Sequence, residues 1–302
     1  MKSDKVRDMK TRLTNKQGAG RVNWENVAIL IVFHAGALAA LFMFTWTALI
    51  VSLAILWVAG GVGIGMGYHR LLTHRGYRTP KWVEYTLTLC GTLALEGGPI
   101  QWVTTHRIHH AHTDDTADPH SPRDGTWWAH AGWILRGTAQ SHDRATVERY
   151  SPDLLKDRFH VWISRWYYLP LILLGVALLA FGGWPVFLWG VFLRVVVGLH
   201  STWLVNSATH MWGTRRFETT DDSTNNALIA LLTFGEGWHN NHHAHPSAAR
   251  HGLAWYEIDV NWWGIRTLQL MGLAKSVKLV GKGGLRSESR GEGLEGMLRK
   301  AA

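Results

Sequence analysis

The residues able to do chemistry in this sequence are histidines. There are 18 among 302 residues, and they cluster. His69 and His74 form an HxxxxH; His106, His109 and His110 form an HxxHH; His239, His242 and His243 form another. His210 closes the run Asn206-Ser-Ala-Thr-His210. Neutral imidazole is a ligand for iron, copper or zinc. On a helix, residues three and four apart share a face within ~6 Å, so each HxxHH can offer up to three imidazoles around one point. His69 and His74 are about 140° apart on an ideal helix, which suits a helix end where the chain turns. Eight imidazoles in three boxes, with His210 as a ninth, exceed one centre of about four to six ligands and match two metals. The scattered His34, His130, His142, His160, His200 and His251 are read as structural or solvated. His112, His120 and His245 adjoin the boxes and can support them.

These boxes need elements to hold them, and the apolar pattern supplies them. The chain is 47% hydrophobic and 18% charged, against ~25% charged for soluble domains. Val27 to Tyr68 contains no Asp, Glu, Lys or Arg. A spanning helix needs ~20 apolar residues, so this run fits two spans, about 27–45 and 48–68. A second uncharged run, Trp166 to Leu193, is broken by Gly182-Gly183-Trp184-Pro185. It predicts spans at about 166–182 and 186–206, with Arg194 close enough to the far interface to snorkel outward. The glycines from Gly61 to Gly67 lie inside a span and are read as close-packing residues, not as a dinucleotide loop.

Neither hairpin turn carries Lys or Arg, so the positive-inside rule puts both tails and 69–165 in the cytoplasm. The expected fold is an all-α integral membrane protein with four transmembrane helices in two hairpins. A helical cytosolic cap, 69–165 and 207–280, carries the His-rich di-metal site. Residues 1–26 and 275–302 carry +4 each of the net charge of +9; 1–24 is a basic cytosolic stretch, and 281–302 is a Gly-, Ser- and charge-rich one expected to be disordered. Residues 25–280 form the domain between them. Basic tails suit anionic headgroups, and no nucleic-acid motif accompanies the charge. The single cysteine, Cys90, excludes a disulfide scaffold.

The run Gly67-Tyr68-His69-Arg70-Leu71-Leu72-Thr73-His74-Arg75 resembles the membrane fatty-acid desaturases, in the branch that introduces a Δ9 double bond. So do His106-Arg107-Ile108-His109-His110, Asp118-Pro119-His120, Thr202 through His210, and Gly235-Glu236-Gly237-Trp238-His239-Asn240-Asn241-His242-His243. The pattern is most similar to bacterial and cyanobacterial members and covers about 25–275. The resemblance implies two irons held by His69, His74, His106, His109, His110, His210, His239, His242 and His243, with Asn206 reaching one metal through water. Zinc is a possible substitute in a structure. The resemblance further implies a kinked acyl tunnel, its bend formed by Trp102, Thr202 and Trp203 and its end near Trp57 and Gly61. Asp118 and Glu236 are candidates to orient box histidines. Thr104 and Thr105 stand where animal-type acyl-CoA desaturases carry an Arg-Asp pair, so acyl-CoA, acyl-carrier protein and acyl-lipid substrates stay open.

The activity so implied is O₂-dependent desaturation of a saturated acyl chain, giving a cis double bond. With no nucleotide fingerprint, cysteine set or fused cytochrome-like stretch, the electrons are expected from a separate ferredoxin or cytochrome b5-type donor. The expected location is a bacterial cytoplasmic membrane. A related membrane hydroxylase or ketolase is the alternative; a His-rich metal transporter is a remote one, because the uncharged runs hold only His34 and no acids.

Overall fold

The computed structural model describes residues 21–136 and 141–281, and these are helical, with only isolated β-bridges among them. Three helices are long and apolar enough to cross a membrane: Trp24–Leu41, Trp46–Thr73 and Leu169–His210. The two tails anticipated from the charge pattern lie almost wholly outside the described residues.

α1 (Trp24–Leu41) starts where the Asn23 side chain accepts from the Asn26 amide, and α2 (Trp46–Thr73) where Thr45 accepts from Ala48. The second part of α2, Trp57–Thr73, is wound as a π-helix. Its glycines are packing points. A Cβ at Gly63 would overlap the Gly91 backbone, one at Gly65 the Asn261 amide, and one at Gly67 would lie 3.0 Å from the Leu87 carbonyl oxygen. α3 (Lys81–Thr92) therefore lies backbone to backbone against α2. α4 (Pro99–His112) follows, then α5 (Arg144–Tyr150) and α6 (Arg158–Arg165).

The third apolar helix is a hairpin. α7 (Leu169–Phe187) breaks at Gly183, whose φ of 69° and ψ of −172° are non-helical. The arms fold back, so that Gly175 faces Phe187 and Val191, and Gly190 faces Leu178. The return arm runs through α8 (Arg194–Ser207) to a 3₁₀ turn, Ala208–His210. α9 (Ala227–Leu232), α10 (His239–Ala244) and α11 (Val260–Leu270) complete the described chain.

Arg194 departs from the expected outward snorkel. It is 2% exposed and turns into the protein, Nε donating to the Gly190 carbonyl at 3.0 Å and Nη1 to that of Leu93 at 2.5 Å. Leu93 caps the C-terminus of α3, where helix carbonyls lack intrahelical partners and carry negative dipole; that end draws the cation inward. Three of the scattered histidines join elements. His34 Nε2 and His200 Nε2 are 3.1 Å apart, and His200 Nδ1 is 3.0 Å from His130 Nε2. They link α1, α8 and the turn 128–132.

Candidate metal centre

Nine histidines converge from five places: the last turn of α2 (His69), the residue just after it (His74), α4, the 3₁₀ turn after α8, and α10. They form two groups, each with its ligand atoms within 4.8 Å of one another. His69, His74, His106, His110 and His242 make one; His109, His210, His239 and His243 make the other. Each HxxHH box is thus split between the groups, not gathered about one point. A helix advances about 100° per residue, so i and i+4 lie ~40° apart while i+3 falls ~60° to the other side. The i, i+4 pair of α4 enters the first group and His109 the second. In α10 the i, i+4 pair enters the second group and His242 the first.

The ring nitrogens have the spacing of ligands. His69 Nε2 is 3.1 Å from His242 Nε2, which is 2.9 Å from His110 Nε2, which is 3.1 Å from His106 Nε2. His243 Nε2 and His239 Nε2 are 3.0 Å apart. Nitrogens at right angles about a metal, each ~2.1 Å from it, lie about 3 Å apart. Hydrogen bonding does not explain the set, because His74 Nε2 and His210 Nε2 are buried without a partner among the described residues. Burial, followed by the neighbouring imidazoles, holds His74, His106, His110, His239, His242 and His243 well below the usual histidine range. That direction favours the neutral ring, the form metal binding requires.

Four carboxylates face the Nδ1 atoms. Glu236 Oε2 lies 2.5 Å from His69, Asp118 3.0 Å from His109, Asp114 2.9 Å from His210, and Asp221 3.0 Å from His243. A carboxylate that accepts from Nδ1–H fixes the tautomer that turns the Nε2 lone pair inward. Burial alone would push Asp114, Asp118 and Glu236 up. The imidazole of His210 and hydrogen bonds draw Asp114 down to about 2, and His109 and His120 draw Asp118 lower still. Arg70, 0% exposed, holds Glu236 far down in the same way, through bonds of 3.1 and 2.9 Å to Oε1.

Asp114 and Asp221 were not anticipated; only the acid-rich runs around them hint at a role. His251, read as structural, lies behind the first group, its ring 4.5 Å from His242 and its Nδ1 3.3 Å from Glu236. His120 packs 4.4 Å from His109.

Two cavities of about 110 and 70 Å³ share part of their walls: Glu96, Trp102, His106, Thr202 and Asn206 line both. The first runs along α1 and includes Trp203; the second runs between α2 and α8. Glu96 ties the junction together, accepting from Trp102 Nε1 at 3.0 Å and Thr202 Oγ1 at 2.7 Å. Burial pushes Glu96 up to about 7 despite these bonds. Leu56, Ala59 and Gly60 line the second cavity, whereas Trp57 and Gly61 do not, and Trp57 is 42% exposed.

The family described as "Fatty acid desaturase" matches residues 44–271. The chain belongs to that family. The desaturase is 48% identical over 264 residues to the "sn-1 stearoyl-lipid 9-desaturase" of Anabaena variabilis, covering 87% of this chain and 96% of the relative. It is 48% identical to the "sn-2 palmitoyl-lipid 9-desaturase" of Nostoc sp. (strain 36), covering 85% and 90%. It is 46% identical to the "Icosanoyl-CoA 5-desaturase" of Limnanthes douglasii, covering 84% and 72%. It is an oxidoreductase, and its histidine groups fit a His-ligated metal site.

Proposed function

We propose that the desaturase converts a saturated chain, esterified in a glycerolipid, to its cis-Δ9 alkene. One O₂, two electrons and two protons are consumed, and two waters leave. The observation that carries the reading is the junction of the two cavities at His106, Thr202 and Asn206, beside the histidine groups. A chain threaded through both cavities presents a middle carbon there, not an end. Two irons, when bound, supply the O₂-derived oxidant that an unactivated methylene requires. Zinc can take the same imidazoles.

This chain's own residues do the rest. Nine histidine ring nitrogens would hold the metals, and Asn206 would reach one of them through water. Asp114, Asp118, Asp221 and Glu236 keep four rings in register. Trp102, stacked 5.0 Å from His106, and Thr202, both held by Glu96, shape the bend with Trp203.

The glycerolipid carrier is supported by the first cavity, which no Lys or Arg lines among the described residues. Thr105 lines it, while Thr104 is spent on Ser151; a nucleotide thioester would bring phosphates that need cations. Counting the arms of the Leu169–His210 hairpin separately gives four spans, with both termini and the histidine groups on the cytoplasmic side of a bacterial membrane. A ferredoxin or cytochrome b5-type protein delivers the electrons. Expression in a host lacking Δ9 desaturation, with methyl-ester analysis of separated glycerolipid and thioester pools, tests this reading. A new alkene at carbon 9, first seen in glycerolipid, is expected; an alcohol or ketone would overturn the reaction, and first appearance in thioester would overturn the carrier.

A further inference from the structure

A cluster of ionisable groups lies apart from the nine histidines, where the start of α3 meets the start of α6. Glu84 on α3, with Asp157 and His160 at the head of α6, bring one ligand atom each within 4.8 Å of one another. None of the three belongs to the nine-histidine groups. Lys81 occupies the same place. Its Nζ donates to Glu84 Oε1 at 2.7 Å and to Asp157 Oδ2 at 2.8 Å. A cation therefore already bridges the two carboxylates, on a side chain that is 61% exposed.

His160 is the part that the lysine leaves unexplained. It is 0% exposed and stands between the two acids. Nδ1 is 3.5 Å from Asp157 Oδ1, and Nε2 is 3.6 Å from Glu84 Oε1. Nε2 also lies 3.4 Å from the Thr88 hydroxyl, while Nδ1 is buried without a hydrogen-bond partner among the described residues. Both carboxylate separations exceed the roughly 2.7–3.2 Å of a hydrogen bond. Burial holds the ring below the usual histidine range against the pull of both carboxylates, which favours the neutral form. A neutral imidazole has one proton for two nitrogens. Whichever nitrogen lacks it turns a lone pair on a carboxylate oxygen, acceptor against acceptor. A cation between them resolves that conflict.

We propose that Glu84, Asp157 and His160 form a further metal site, of the zinc class, in which a divalent ion takes the place of the Lys81 ammonium and ties α3 to α6. One imidazole and two carboxylates are a zinc donor set, with water completing the tetrahedron. Ligand atoms each ~2.1 Å from a tetrahedral ion lie about 3.4 Å apart, close to the 3.5 Å between Nδ1 and Asp157. Charge favours the exchange. Two carboxylates against one ammonium leave an excess of negative charge, which a divalent ion removes. Lys81 gives up little, because an exposed ion pair is weak. The ion would fasten α6 to the helix that packs on the glycine stretch of α2, just before His69 and His74.

The full chain, purified in detergent and loaded with iron, would be dialysed against a zinc series, and both metals counted per chain by elemental analysis. Lys81→Met removes the competing cation. It should bind the further zinc about tenfold more tightly than wild type, since each of two exposed pairs is worth up to about fivefold. Adding His160→Gln to that background should abolish this zinc, with iron content and circular dichroism unchanged. Zinc uptake that is the same with and without His160, or that appears only as iron leaves, would overturn the inference. A second measurement needs no variant. Against partial burial, bonds to Asp157 and Glu84 hold the Lys81 ammonium above the usual lysine range, and only a neutral amine is acylated. Zinc should therefore speed the acylation of Lys81 in wild type severalfold, read by peptide mass spectrometry, and leave that of the exposed Lys275 unchanged. A Lys81 rate that zinc does not alter would also overturn the proposal.

Discussion

Glu236→Gln should weaken one metal and leave the other in place. Both carboxylate oxygens face donors. Oε1 accepts from Arg70 Nε at 3.1 Å, Arg70 Nη2 at 2.9 Å and Asn261 Nδ2 at 2.7 Å. Oε2 faces His69 Nδ1 at 2.5 Å and His251 Nδ1 at 3.3 Å. A glutamine must turn its NH₂ to one side. The Arg70 side would lose three bonds and oppose a cation, so the amide will face His69. His69 must then accept at Nδ1 and carry its proton on Nε2, where the first group needs a lone pair. Changing such a carboxylate costs ten- to a hundredfold in metal affinity, or about 1.4–2.7 kcal/mol. The second group keeps Asp114, Asp118 and Asp221. Metal per chain would be followed by elemental analysis of detergent-purified protein across a chelator titration, with circular dichroism as the check on folding. The expected curve has two steps, the first moved ten- to a hundredfold towards lower chelator. Both steps moving together, or neither, would refute the assignment of Glu236 to one group.

His242→Ala should abolish desaturation while expression and helix content persist; full activity would remove His242 from the ligand set. Glu96 gives a pH dependence. Its neutral form is favoured in the fold, so ionisation costs stability as pH rises from the ordinary 4.5 through about 7, up to about 3 kcal/mol. Glu96→Gln should therefore raise the melting temperature near pH 8 and change it little near pH 4.5; an equal rise at both would mean that burial of charge is not the cause. A cysteine at position 142, in a Cys90→Ser background, should react only from the cytoplasmic side of sealed vesicles; labelling from outside would invert the topology.

The sequence displayed its clustered histidines better than their grouping. The two HxxHH boxes stand out because i, i+3 and i+4 bring imidazoles together on any helix, whereas His69, His74 and His210 depend on where the chain turns. Which ring joins which group depends on how α4 and α10 are rotated against each other, and no local spacing encodes that. Asp114 and Asp221 lie 96 and 22 residues from the rings they hold, so their pairing is purely tertiary. The apolar runs located the long helices, and Gly182–Pro185 the break between two of them. Arg194 was misjudged for a physical reason: hydropathy prices a charge against lipid, whereas this one is met by carbonyls at the end of α3, a helix too short to register as a span.

The glycine-packed stretch of α2 has a consequence for anyone who reads structure from tolerance to substitution. Gly63 and Gly67 are pressed against α3 and Gly65 against Asn261 of α11, so the segment is squeezed from more than one side at alternate positions. A saturation scan across residues 62–68 should show that Gly63, Gly65 and Gly67 tolerate no added carbon. That rhythm is the usual fingerprint of a half-buried β-strand, yet here it comes from a helix. Constraint recorded along this stretch would report which neighbours touch the backbone, and would mislead as a guide to how the backbone is wound.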